Sequence, residues 1–396
     1  MTLNLYALPD PGGAFQQVVD DCTVHAGGRY RIRYHKLPTS ADGQRRQLVF
    51  RLAAHDASMD ILGTDITWTA EFAEAGWLEP WPRDLAAQVA RGTLASAMET
   101  GTWRGRLYAV PFVTNVQLLW YRSDLVPEPP RTWDEMIAMA ERLAREGKPH
   151  YIEIQGAQYE GATVWFNTLV HSAGGAILTS DAREPALGPP ARRALETMKR
   201  LATSPAADPS LSNQMENETR LSMEAGRAAF ELNWPFVWPS MQQDRPTVDG
   251  VALWKVFRWA PYPAMDPNRP AHVTTGGLNL AVSRYTRHAA LAFDAARCMR
   301  NHHSQHIAAV RGGYSPTLED FYLHPDSVFA AKFPFYREVY AQLQAATNRP
   351  KTPAYQSMSI VISHAVSPPA AIDPRATLEQ LRTGIRDALA SRGLVP

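Results

Sequence analysis

Hydrophobic positions along this chain follow two rhythms, a period of two over short runs and a period near 3.6 over longer ones. Their order predicts the fold. Thr2-Leu-Asn-Leu-Tyr-Ala-Leu8 alternates and reads as a buried strand. Gly13 to Cys22 carries helical spacing, and Tyr30-Arg-Ile-Arg-Tyr34 alternates as a strand. Gln44 to Ala54 is helical again, Met59-Asp-Ile-Leu62 is a short buried strand, and Thr69 to Ala75 is a short helix closed by Gly76. Strands and helices alternating at this spacing predict an α/β fold with a largely parallel sheet.

Further along, Arg106 to Phe112 reads as a strand running into Asn115, and Leu118-Leu-Trp-Tyr-Arg122 as another. After the turn Pro127-Glu-Pro-Pro130, Thr132 caps a helix whose first turn is acidic. Val164 to Ala173 is apolar and helical up to Gly174-Gly175, with Glu160 in the loop before it. Gly226 to Leu232 leads a strand into Asn233-Trp234-Pro235-Phe236. Val273 to Val282 is a strand interrupted by Gly276 and Gly277, and Ala376 to Ala390 is helical with Leu378, Leu381, Ile385 and Leu389 on one face.

Composition adds bounds. A chain of 396 residues is too long for one ordinary core and suits two domains. No Pro/Ser-rich linker or repeat divides it, so the chain is expected to cross between domains more than once. With 45% hydrophobic and 20% charged residues it has a globular balance, and a net charge of +1 points away from nucleic acid or anionic membrane as partners. No run approaches a membrane span. No basic-then-apolar leader opens the chain, so the numbering is expected to begin at a processed, mature end.

The two cysteines, Cys22 and Cys298, are too far apart for a redox or zinc-ribbon pair. They form either one disulfide closing a long loop or two separate buried thiols. His302, His303 and His306 have helical spacing, but no nearby carboxylate or cysteine completes a metal site, and a polar helix surface explains them. Phosphate-loop, dinucleotide, zinc-protease, calcium-loop and nucleophile-elbow motifs are missing, so neither cofactor nor metal is expected. A glycoside hydrolase would need two facing carboxylates, and only Asp65, Glu160 and Glu216 offer themselves.

Several segments carry a family resemblance, in order along nearly the whole chain. They are Asp60-Ile-Leu-Gly-Thr-Asp65-Ile-Thr-Trp-Thr-Ala-Glu-Phe-Ala-Glu-Ala-Gly-Trp-Leu-Glu-Pro, Tyr108-Ala-Val-Pro-Phe-Val-Thr-Asn115, Glu231-Leu-Asn-Trp234-Pro-Phe236, Thr275-Gly-Gly-Leu-Asn-Leu-Ala-Val and Arg349-Pro-Lys-Thr-Pro-Ala-Tyr-Gln. They resemble the sugar-binding proteins of bacterial ABC importers. Trp165-Phe-Asn-Thr-Leu, the Cys298 helix and the Gly393-Leu-Val-Pro396 ending are similar to the trehalose-binding lipoproteins of the mycobacterial trehalose-recycling importer. Between Pro239 and Trp259 this chain is shorter than those proteins.

The resemblance implies a periplasmic-binding-protein-like, maltose-binding-protein-like fold: two α/β lobes, a multi-strand hinge and a ligand cleft between the lobes. The N-terminal lobe would take 1–113 and 281–318, and the C-terminal lobe 114–280 and 319–396. It implies a disaccharide ligand, trehalose first and maltose or another glucoside as the alternative, with permease and ATPase subunits as partners. It also implies a monomer without catalysis, lipid-anchored outside the cell membrane.

The expected ligand residues follow from what a sugar demands. Each buried hydroxyl left unpaired costs about 1 to 3 kcal/mol. Carboxylates accept from hydroxyls, which suits Asp65, Glu160 and Glu216, although Asp65 also reads as a helix cap. Asn115 both donates and accepts. Arg349 offers paired donors. Trp234 and Phe236 cover the apolar face of a pyranose, and Gly276 and Gly277 let the backbone come close.

Overall fold

The computed structural model describes residues 1–10 and 12–392, so the Gly393–Pro396 ending lies outside the described residues. Two compact units emerge. The first comprises Met1–Asn115, Gly276–Arg337 and Lys351–Pro353; the second comprises Val116–Thr275, Glu338–Pro350 and the residues from Ala354 onward.

In the first unit, Thr2–Ala7, Arg31–Lys36, Ile61–Asp65, Ala109–Asn115, Gly276–Val282 and Ser315–Pro316 form one sheet. Thr2–Ala7 runs parallel to both Arg31–Lys36 and Ile61–Asp65. The helices Ala14–His25 and Ala41–Ala53 supply the crossovers that parallel pairing requires. Gly276–Val282 is antiparallel to Ile61–Asp65 and to Ala109–Asn115, and Ser315–Pro316 is antiparallel to the latter. The sheet is therefore mixed rather than largely parallel. The strand that returns from the second unit enters without a crossover helix of its own, and nothing forces it into the parallel direction.

Side chains alternate across this sheet as the period of two demands. Leu278, Leu280 and Val282 join a core with Leu3, Leu5, Phe15 and Phe112. Ala281 joins a second core on the other face with Tyr6, Leu62, Trp68 and Phe72. A disulfide links Cys22 to Cys298, with Cα atoms 5.8 Å apart, and ties Ala14–His25 to Ala289–Met299.

The second unit holds a four-stranded sheet in the order Phe257–Ala260, Leu118–Arg122, Ala228–Asn233, Tyr151–Glu153, of which only the last pair is parallel. The helix Glu160–Ser172 is buried at every position but His171, because Pro189–Ala202 and Tyr355–Val366 pack on it. A helix buried on all sides is an interior helix, and its polar side chains must find partners within the protein. It starts four residues before the predicted Val164, which moves Glu160 from a loop to its first turn. Thr132 caps Trp133–Arg145, its hydroxyl accepting from the Glu135 N–H at 3.2 Å. The short stretch after Pro239 folds as the end of a helix Val237–Asp244, a hairpin Thr247–Val248/Val251–Ala252 and a one-turn helix Leu253–Val256.

All three expected boundaries move, the first by two residues to Asn115, and Lys351–Pro353 joins the first unit. Gly276–Leu280 belongs with the first unit, because that strand is paired there on both sides. Residues 319–337 also stay there: Phe321 and Phe329 pack ring to ring at 5.2 Å beside His306 of the helix His302–Gly312. The Val273–Val282 strand begins only at its glycines; Thr274 instead bridges to Thr347 within the second unit. No helix among the described residues is long and apolar enough to cross a membrane.

Candidate functional site

Pairing register gathers one set of sequence-selected residues at a single end of the first unit's sheet. Asp65 closes its strand opposite Leu278, and Asn115 closes its own strand opposite Gly276. Both strands end where the central strand begins, so Asp65, Asn115, Gly276 and Gly277 share one sheet end. Such carboxyl ends are where α/β sheets present ligand loops.

Asp65 Oδ1 accepts from the Thr67 N–H at 2.9 Å and the Thr67 hydroxyl at 2.8 Å, and its carbonyl accepts from the Trp68 N–H at 3.1 Å. This side chain shapes the turn before Thr69–Glu74, with Trp68 at the cap position. Asn115 Oδ1 accepts from the Ser315 N–H at 3.2 Å and links its strand end to Ser315–Pro316. Both residues are half-buried. Gly277 has a local reason to lack a side chain. Its φ is +145°, and a Cβ there would lie 2.5 Å from the Val113 carbonyl oxygen. The neighbouring strand occupies the space a side chain would take.

The second unit brings together Glu216, Trp234 and a residue that the sequence reading missed, Tyr159. Glu216 opens the helix Glu216–Glu224, and Trp234 follows the strand Ala228–Asn233. The Glu216 carboxyl lies near the Tyr159 hydroxyl and the Trp234 indole, and the buried Tyr159 hydroxyl makes no hydrogen bond of good geometry. Burial pushes this carboxyl above the ordinary carboxylate range. Tyr159 is 5% exposed, and its own ionisation is pushed far up by burial and by Glu216. Phe236 is half-buried at the cap of Val237–Asp244.

Glu160 and Arg349 meet each other. Arg349 Nη1 lies 2.5 Å from Glu160 Oε1, the Tyr355 hydroxyl donates to that oxygen at 2.5 Å, and the Ser359 hydroxyl donates to Oε2. Glu160 is 7% and Arg349 5% exposed. Arg349 Nη2 also reaches the Thr275 carbonyl at 3.5 Å. The pair ties the helix Glu160–Ser172 to the segment before Tyr355–Val366, so both carboxylate oxygens already have protein partners. Tyr355 lay within the Arg349–Gln356 run that the sequence singled out. Tyr159 stood beside Glu160, but nothing in its own spacing marked it.

The three histidines do not converge. His302, His303 and His306 turn to three different carboxylates, Asp320 at 3.7 Å, Asp21 at 3.2 Å and Asp326 at 3.1 Å. Among the described residues no group of three His, Cys, Asp or Glu could hold a metal ion.

Residues 10–305 match the bacterial extracellular solute-binding protein family. A probable ABC transporter-binding protein of Deinococcus radiodurans is 27% identical over 352 residues, 85% of this chain and 80% of that protein. The maltose-bound MalE3 of T. maritima is 25% identical and superposes with a TM-score of 0.86, over 97% of this chain and 99% of the other. A solute-binding protein from Thermotoga lettingae bound with alpha-D-tagatose shares the fold, with a TM-score of 0.85 at 20% identity over 98% and 99% of the two chains.

Proposed function

We propose that the solute of this chain, which belongs to the bacterial extracellular solute-binding protein family and is the sugar-binding component of an ABC importer, is a disaccharide, trehalose first. The observation that carries the reading is the meeting of Glu216, Tyr159 and Trp234 in the second unit. An indole offers an apolar face to a pyranose ring, while carboxyl and phenol groups beside it serve the hydroxyls. Asp65 and Asn115 at the sheet end of the first unit supply a second set of hydroxyl partners. Phe236 adds apolar surface, and the strand start at Gly276 and Gly277 adds backbone groups. Glu160 and Arg349 belong to the site as its frame.

In this reading the sugar is bound and released unchanged, and the loaded protein delivers it to a membrane permease driven by an ATPase. It acts as a monomer outside the cell membrane, held there by a lipid; fractionation of cells that express the native gene tests that last point. Maltose is the second ligand reading, favoured by the maltose-bound relative at 25% identity.

Isothermal titration calorimetry of the purified chain with trehalose and maltose tests the reading. Saturable heat with trehalose at micromolar affinity, stronger than with maltose, is expected. The reverse order selects the second reading. Absence of heat with both sugars rejects the disaccharide proposal, and release of glucose from trehalose would replace it with a hydrolase.

A further inference from the structure

We infer that Asn233 is the positioning residue for Trp234 and Glu216, and that through it the buried Glu231 carboxyl sets how firmly they are held. Asn233 ends the strand Ala228–Asn233 and is fully buried. Its Oδ1 accepts from the Trp234 N–H at 2.8 Å. Its Nδ2 lies 2.9 Å from the Glu216 carbonyl oxygen, 2.9 Å from the Thr219 hydroxyl and 2.7 Å from Glu231 Oε1. A carboxamide nitrogen carries two hydrogens, so these three acceptors compete.

The protonation of Glu231 decides the competition. A carboxylate is a charge-assisted acceptor and draws one N–H to itself. A neutral carboxyl accepts less strongly and leaves both hydrogens to the start of the Glu216 helix. Glu231 is 0% exposed, and its Oε2 makes no hydrogen bond, which disfavours the charge.

The charged groups around Glu231 do not reverse this. Glu153, its register partner on the neighbouring strand, is also 0% exposed and accepts from the Ser222 hydroxyl at 2.5 Å and from Gln214. Asp208 stands beside Glu153, with Arg227 3.8 Å from its Oδ2. From the helix Glu216–Glu224, Arg220 and Glu224 face Glu231, but Arg220 is committed to Glu224 at 2.6 Å. On the remaining side the strand Leu118–Arg122 sets Trp120 opposite Glu231, and its one cation, Arg122, pairs with Asp124 at 2.6 Å. Burial lifts the Glu231 carboxyl to about 8, which keeps it neutral near pH 7 and ionises it just above.

The inference concerns how the proposed sugar site is held, and it rests on that reading only where sugar affinity is measured. The first test is free of ligand. Tryptophan emission of the intact chain is followed from pH 6 to 9.5, and subtraction of Trp234→Phe isolates the Trp234 signal. A transition near pH 8 is expected in wild type and in the control Glu153→Gln, and none in Glu231→Gln or Asn233→Ser. Glu231→Gln mimics the neutral acid in shape, so it folds as the wild type does at neutral pH. A wild type without the transition, or a transition that survives Glu231→Gln, overturns the inference.

The second test is calorimetry with trehalose and with maltose at pH 7 and 9. The affinity of wild type is expected to fall about tenfold on going up, the worth of about one hydrogen bond, and to stay flat in Glu231→Gln. Binding that ignores pH in wild type overturns the inference and leaves the sugar reading standing. A Trp234 transition with no sugar bound supports the inference and rejects the reading.

Discussion

Replacing Glu160 with Gln keeps the shape of the side chain and deletes its charge, which separates a structural role from a ligand contact. Glu160 and Arg349 are 7% and 5% exposed and lie 2.5 Å apart, in a setting where water screens little. The substitution strands the Arg349 guanidinium in the interior beside a neutral amide. Removing one partner of such a buried pair costs about 3 to 5 kcal/mol, because the desolvation of the remaining charge is no longer offset. One kcal/mol moves the melting point of a domain of this size by about 2 to 4 °C, so a fall of about 10 °C is expected. Thermal unfolding of the intact chain by circular dichroism reads it. Arg349→Met should cost a similar amount, and the double variant clearly less than the two single losses added, since the second change removes the stranded charge. A loss below about 1 kcal/mol for Glu160→Gln would refute the argument, since it would mean a solvated pair. Unchanged melting with a collapse of sugar affinity would return Glu160 to the ligand contacts.

Trp234→Ala and Asp65→Ala should each weaken trehalose binding by at least 100-fold, about 2.7 kcal/mol, without unfolding either unit. Calorimetry paired with circular dichroism checks both, and full affinity in either variant removes that residue from the site. Replacing Cys22 and Cys298 with Ser opens a link across 276 positions. Chain entropy sets an upper bound of about 6 kcal/mol on the loss, which melting curves of variant and wild type would show. The pH profile of stability should fall as pH rises from 4.5 to 8 and level off above. Glu153 and Glu231 are each raised from 4.5 to about 8. Their contribution is thus complete below 4.5 and disappears as pH climbs through 8. His171 acts oppositely: burial lowers it from 6.5 to about 4, so its contribution is lost as pH drops through that interval. Urea midpoints across this range, with Glu153→Gln flattening the alkaline limb, test the sign.

The order of strands and helices was legible in the chain because local burial leaves a period. Alternation marked Thr2–Ala7, and helical spacing marked Ala14–His25 and Pro374–Leu389. The proposed site draws on residue types that the chain shows at strand and helix ends, Asp65, Asn115, Glu216 and Trp234 among them.

Partnership between distant residues was not. Glu160 and Arg349 looked like two independent ligand groups, yet they are 189 positions apart and neutralise each other. Gly277 read as a close backbone approach, and what its missing side chain leaves room for is Val113 of the neighbouring strand. The sheet read as parallel because each βα unit is judged locally, whereas the direction of Gly276–Val282 depends on where a long excursion of chain comes back. Asn233 lay inside the Glu231–Phe236 run, but nothing singled it out there, since its importance lies in three acceptors converging on one carboxamide. Periodicity reports which side of an element is dry. What a buried polar group finds there depends on topology, because desolvation forces it to pair with whatever the fold brings within reach.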